Sequence, residues 1–236
     1  MMMIQEPLYY QFTESKLREL ISKIREEGGD KLAKLLEEDR QLMDRLKARE
    51  NSNYLLLSKE FEGLKDRHDW LDFVAGGMYY GQCVDGVRDG YGLLYCKNSE
   101  GDQMLYECEW ESGLPIKGKS LMVSDCKWWS YEGHLDDKYL PTVKGTSSNE
   151  DGDKYNGDFK KGNRHGQGKY QWKDGQMYEG KWQDDKKHGS GRQTFADGSY
   201  SVGEYREDEE VGVHRIYSKE GKLDMRMDYD KVVQDV

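Results

Sequence analysis

Hydrophobic positions along the chain follow two different periods. Leu17, Leu20, Ile21 and Ile24 recur at the i, i+3, i+4, i+7 spacing of one helical face. Thr13 or Ser15 is placed to cap that helix and Gly28-Gly29 to end it. Asp30 is placed to cap a second helix bearing Leu32, Leu35, Leu36, Leu42, Met43 and Leu46, which Asn51-Ser52-Asn53 breaks. A third helix is predicted from a Ser58 cap through Phe61, Leu64, His68 and Leu71 to Val74, after which Gly76-Gly77 feeds the first strand. From Tyr79 onward the period falls to two, as in Tyr155-x-Gly157-x-Phe159 and Tyr178-x-Gly180-x-Trp182, where alternate residues share one face of a strand.

The alternating segments repeat. Tyr155 to Gly168 and Tyr178 to Gly191 carry the same letters 23 residues apart, and the register extends to Tyr79, Tyr106, Tyr131 and Ser201, giving six units. Within a unit, Tyr155, Gly157 and Phe159 form one strand and Lys160 to Asn163 a turn. Gly166, Gly168, Tyr170 and Trp172 lie on the returning strand, which Asp174-Gly175 ends. Each unit therefore reads as a hairpin and the array as a meander. The glycine between two rings leaves room for a neighbouring aromatic to lie over the backbone.

This pattern resembles the MORN repeat, Tyr-x-Gly-x-Trp-x-x-Gly-x-x-x-Gly-x-Gly, over roughly residues 79–222. The resemblance implies a single-layer, twisted antiparallel β-meander with a groove along one face. The predicted organisation is an α-helical N-terminal region at 1–76 for docking or oligomerisation, the repeat sheet at 77–222, and a C-terminal strand or tail at 223–236. Departures from the consensus at Cys83, Cys108, Lys117, Leu135 and Thr142 predict local distortion in the first half.

Composition narrows the chemistry. Seventeen Tyr, six Trp and twenty-seven Gly accompany only 35% hydrophobic residues, so ring packing replaces much of an aliphatic core. No run approaches the ~18 apolar residues of a membrane span, and no basic apolar leader opens the sequence, so a cytoplasmic address is expected. Cys83, Cys96, Cys108 and Cys126 never form a CxxC pair and read as small apolar fillers on strands. His165 and His188 share a repeat position, read as pointing into solvent with no metal bound. No nucleophile elbow, zincin motif, P-loop or dinucleotide fingerprint is present, and carboxylate pairs such as Asp136-Asp137 and Asp184-Asp185 sit at turns. The expectation is a noncatalytic protein without catalytic residues, cofactor or metal.

Charge supplies the sharper hint. The net charge is −10, yet residues 154–192 hold ten Lys or Arg against five Asp or Glu. Lys160, Lys161, Arg164, Lys186, Lys187 and Arg192 read as a basic edge, followed by the acidic run from Glu207 to Glu210. Two readings follow. In the first, the sheet is a scaffold that takes a partner helix or peptide in a groove lined by Trp110, Tyr155, Phe159, Tyr178, Trp182 and Tyr205, within an assembly that the resemblance suggests is cytoskeletal or ciliary. In the second, the basic edge binds anionic phospholipid, as proposed for MORN proteins. Nucleic acid is not expected. The helical stripe Leu32, Leu35, Leu42, Met43 and Leu46 packs either on its own sheet or on a second copy.

Overall fold

The computed structural model describes residues 11–50, 54–61, 75–98 and 100–230. Three helices come first: α1 (Glu14–Glu26), α2 (Asp30–Glu38) and α3 (Leu42–Ala48). The strands are β1 (Leu55–Phe61), β2 (Ala75–Val84), β3 (Val87–Lys97), β4 (Gln103–Glu111), β5 (Leu114–Ser124), β6 (Lys127–Leu135) and β7 (Pro141–Asn149), then β8 (Lys154–Lys160), β9 (Asn163–Gln171), β10 (Met177–Gln183), β11 (Lys186–Thr194), β12 (Tyr200–Arg206), β13 (Glu209–Tyr217) and β14 (Leu223–Asp228). The protein is mainly β, with antiparallel strands in one open sheet whose order is the chain order. The hairpins β2–β3 through β12–β13 are the six repeat units, and β1 and β14 extend the series. The chain divides into two compact units, residues 1–130 with 137–139, and residues 131–136 with 140–236.

In the first unit the helices cover one face of the strands. Thr13 caps α1, its hydroxyl accepting from the Lys16 N–H at 3.3 Å. Leu20, Ile24, Leu32, Leu42 and Leu46 pack with Phe12 against Tyr80, Leu93, Tyr95 and Leu105. Each of these helical residues is at most 1% exposed, and burial of that kind stabilises by about 1.5–3 kcal/mol per side chain. Of the stripe expected to pack either on its own sheet or on a second copy, Leu32, Leu42 and Leu46 lie in this core, Met43 packs against it, and Leu35 is half-buried. Rings and small residues also fill the opposite face, where Tyr79, Leu94, Cys96 and Cys108 are at most 0% exposed. Burial on both faces explains the unbroken apolar run Leu93-Leu94-Tyr95-Cys96. Arg45 ties helix to sheet, its Nε and Nη2 donating to the buried Glu107 carboxylate at 2.7 and 2.8 Å.

Several expectations are corrected here. The long second helix is two helices, because the Asp39 carboxylate accepts from Gln41 N–H at 3.2 Å and from Arg45 at 2.6 Å, offering the chain a local alternative to helix. Gly29 holds the cap position of α2 and Asp30 is its first residue, where a carboxylate meets the positive helix end. Ser58 and Phe61, expected to start a third helix within the helical region, belong to β1, which pairs with β2 from Leu55 opposite Cys83 to Phe61 opposite Gly77. The open backbone of β2 outweighs the helical spacing, while Leu64, His68, Leu71 and the predicted Asn51-Ser52-Asn53 break lie outside the described residues. Cys83, Cys96 and Cys108 are buried on strands, but Cys126 is exposed in a turn with φ 60°.

In the second unit the hairpins close alternately by two kinds of turn. At one end Lys161-Gly162, Asp184-Asp185 and Glu207-Asp208 are two-residue turns with positive φ at both positions, which match the strand twist. Consecutive turns are bonded together. Asp185 N–H donates to the Arg164 carbonyl at 3.1 Å while its Oδ1 accepts from Arg164 N–H at 2.9 Å; Asp208 repeats both bonds with Lys187 at 3.1 and 2.8 Å. At the other end the turns return through Gly152, Gly175, Gly198 and Gly221.

Candidate functional site

The Tyr-Gly strands explain themselves once the rings are placed. Tyr155 lies over Gly157 of its own strand and Gly168 of the paired one, and Tyr178 lies likewise over Gly180 and Gly191. A Cβ on Gly191 would stand 2.5 Å from Cε2 and 2.6 Å from Cζ of Tyr178. The glycines therefore make room for the tyrosine of their own repeat, which corrects the expectation of a neighbouring ring. The hydroxyl continues past them to a carbonyl three residues on: Tyr79 to Gln82, Tyr131 to His134, Tyr155 to Asp158 and Tyr178 to Lys181, at 2.7 to 3.1 Å. The first glycine of each Gly-x-Gly has a different task. Gly166 and Gly189 sit at φ 60° and 63° where the register shifts, so they form bulges only glycine adopts readily.

The last repeat reaches the same arrangement with other residues. Ser201 stands where the tyrosine would be and His214 where Gly191 stands one unit earlier. The His214 ring lies over Gly203, and its Nε2 donates to the Glu204 carbonyl at 2.9 Å, three residues after Ser201. Because a carbonyl only accepts, Nε2 carries the proton.

These rings form an edge-to-face ladder through the second unit. Tyr131, Phe159, Tyr155, Trp182, Tyr178, Tyr205, His214 and Tyr229 follow one another at centroid distances of 5.0 to 5.5 Å. Such pairs add about 0.5–1.5 kcal/mol each beyond area burial. Cations cover the ladder: Arg164 stands 4.4 Å from Trp182 and Lys187 5.0 Å from Tyr178. Burial holds the Lys187 ammonium below its ordinary pKa.

The sequence-predicted residues are therefore placed as follows. Tyr155, Phe159, Tyr178, Trp182 and Tyr205 are buried in the ladder, and Trp110 is buried in the first unit beside Tyr79 under Arg88. They are the spine of the sheet and present little surface of their own. The basic residues do not form one edge. Arg164 and Lys187 lie over rings, Lys186 pairs with Glu207 at 2.7 Å, and Arg192 lies on the other face over Tyr200 at 3.6 Å. Lys160 and Lys161 are exposed. His165 and His188 are half-buried, with Nδ1 atoms enclosed. Among the described residues no three His, Cys, Asp or Glu side chains gather as a metal site would require.

A family model for the MORN repeat matches residues 79–100, 155–177 and 178–200. The chain carries MORN repeats. No curated protein matches the chain by sequence. Tyr79, Tyr131, Tyr155 and Tyr178 each span both glycines of their repeat, and Tyr79, Tyr155 and Tyr178 open the matched segments. No helix among the described residues is long and apolar enough to cross a membrane.

Apolar surface on the ring face lies where sequence reasoning did not assign it. Trp172 and Phe195 occupy one repeat position 23 residues apart, beyond the ladder and beside the glycine turns. Trp172 is half-buried and Phe195 is 36% exposed, and the half-buried Tyr170 adjoins Trp172 at 4.7 Å. The signal was the recurrence of a large aromatic at the end of the returning strand, where no glycine gap receives it.

Proposed function

We propose that the protein is a noncatalytic interaction scaffold whose MORN sheet binds a partner helix or peptide on its ring face. MORN repeats are commonly protein- or membrane-binding modules. The observation that carries the protein-binding reading is Phe195, 36% exposed on the ring face, two strands or roughly 10 Å from the half-buried Trp172 of the same repeat position, which Lys187 partly covers at 5.1 Å. Aromatic anchors at that spacing suit the apolar stripe of a helix or alternate side chains of an extended segment. The lipid reading has less to work with, since Arg164, Lys186 and Lys187 are engaged by acidic side chains or rings. A cytoskeletal or ciliary assembly is the setting we propose, resting on the MORN resemblance.

The test compares proteins retained from the native source by three forms of the chain: parent, Trp172→Ala with Phe195→Ala, and Lys160→Glu with Lys161→Glu. Circular dichroism first establishes that each is folded. The scaffold reading expects a specific partner lost with the aromatic pair and kept by the charge reversal, by ~2 kcal/mol for a central anchor. Binding to anionic liposomes at ~0.15 M salt, abolished by the charge reversal and fading as the Debye length shortens, would overturn it.

A further inference from the structure

The face of the sheet opposite the repeat tyrosines is treated differently by the two units. In the first unit the cross-strand row Tyr80, Leu93 and Glu107 lies on it. Helices cover that row: Tyr80 and Leu93 share a core with residues of α1 to α3, and Arg45 of α3 pairs with Glu107 at 2.7 Å. In the second unit the equivalent row is Lys169, Glu179, Arg192, Val202 and Arg215, each directly opposite the next on β9 to β13. Tyr178 and Ser201 lie on the ring face, so the next residues, Glu179 and Val202, turn the other way. The register shifts of these strands lie beyond Gly180 and Val202, toward the two-residue turns, so the row itself is regular.

One repeat position records what meets it. Leu93, Lys169, Arg192 and Arg215 all stand fourteen residues after the start of their unit. Leu93 is 0% exposed beneath the helices, whereas the three cations are exposed. Among the described residues no ion pair engages them, although Glu179 stands between Lys169 and Arg192. Arg192 sits 3.6 Å over Tyr200, which stacks on Tyr217 at 4.9 Å, and a guanidinium held on a ring keeps its edge donors for a carboxylate. Lys144, Lys154 and Lys181 are exposed on the same face, against Asp158, Glu179 and Glu204. From Lys169 to Arg192, and from Arg192 to Arg215, is two strands or about 10 Å. Two turns of α-helix advance about 11 Å, so carboxylates at every seventh residue fall in step with the cations. A membrane surface or a nucleic-acid backbone would instead lay negative charge over Glu179 and Glu204 as well.

We infer that the second unit docks an acidic helix of a protein partner on the face opposite its rings, with the helix carboxylates on Lys169, Arg192 and Arg215. The first unit shows the same arrangement with the signs exchanged, Arg45 and Arg49 at the end of α3 meeting the sheet carboxylates Glu107 and Glu109. Val202, 37% exposed between Arg192 and Arg215, seats an apolar residue of the helix between two of its carboxylates. This goes beyond the scaffold reading, because the surface lies on the other side of the sheet from Trp172 and Phe195 and selects by charge.

The test is fluorescence anisotropy of the full chain with a labelled Ala- and Leu-rich helical peptide bearing Glu at every seventh position. Salt at ~0.1 M limits charge effects to about 10 Å, and circular dichroism first establishes that each variant is folded. The parent is expected to bind. Lys169→Gln, Arg192→Gln and Arg215→Gln together should weaken binding on the order of tenfold, as the loss of three exposed ion pairs does. Lys161→Gln, Lys173→Gln and Lys222→Gln remove the same charge from segments between strands and should change binding by less than about twofold. Trp172→Ala with Phe195→Ala should leave it unchanged, so the scaffold reading and this one fail separately. A peptide with Gln in place of Glu should bind on the order of tenfold more weakly. No binding by the parent overturns the inference, as do equal losses in the two Lys and Arg triple variants, or loss with the aromatic pair. Phosphatidylserine vesicles or a single-stranded oligonucleotide bound more tightly than the peptide, and released by the first triple variant, would also overturn it.

Discussion

Moving the last repeat's arrangement one unit upstream tests how the ring ladder is built. Tyr178→Ser removes a ring that is 0% exposed and strands the Lys181 carbonyl it bonds at 3.1 Å. Large-to-small changes of buried aromatics cost 3–5 kcal/mol, so about 4 kcal/mol is expected. Gly191→His forces a side chain into space the Tyr178 ring occupies, with Cζ only 2.6 Å from the new Cβ, an overpacking of about 2 kcal/mol. Independent effects would sum to about 6 kcal/mol. Ser201, Gly203, His214 and the Glu204 carbonyl show the same pair of residues packing together with a 2.9 Å hydrogen bond and a 5.1 Å edge-to-face contact to Tyr205. The double variant should therefore lose only about 3 kcal/mol, a coupling of about 3 kcal/mol. Equilibrium urea unfolding followed by circular dichroism measures all four corners of the cycle. A double variant whose loss equals the sum of the singles within about 0.5 kcal/mol would refute the claim that ring and gap exchange places.

Two further outcomes follow from the same burial. Burial raises the Tyr170 and Tyr205 hydroxyls to about 12 and lifts Tyr155 and Tyr178 also. The unfolded chain ionises its tyrosines first, near 10, so the stability these groups contribute is full below about pH 10 and declines as pH rises through about 12. Tyrosinate absorbance should therefore appear together with loss of structure, and full ionisation of a still-folded protein would contradict the buried ladder. Burial likewise raises the Cys108 thiol, and Cys83 and Cys96 are 1% and 0% exposed, whereas Cys126 is open. A thiol reagent at neutral pH should modify a single cysteine, moved by Cys126→Ser, and all four after denaturation; rapid modification of two or more in the native protein would disagree.

Local pattern decided much of this molecule. The 23-residue recurrence, the strand pairs it implies, the α1 stripe with its Thr13 cap and the absence of a catalytic motif could all be read from the chain, because a hairpin repeat satisfies its backbone locally and an amphipathic helix writes its buried face at fixed spacing. What a side chain touches across strands was decided only by tertiary structure. Tyr155, Tyr178 and Trp182 carry the same letters whether they line an open groove or a sealed spine; the covering of Tyr155 by Arg164 and of Tyr178 by Lys187 arises from a residue nine positions on, brought back by the turn and bulge. Residues 55–61 became strand because β2 offers an unpaired edge, a non-local demand that helical spacing cannot anticipate. The exchange of Tyr and Gly for Ser201 and His214 looks like decay of the repeat in sequence, yet in space it conserves one ring over one glycine. Contacts between strands depend on register and ring orientation, and these are set when the sheet assembles.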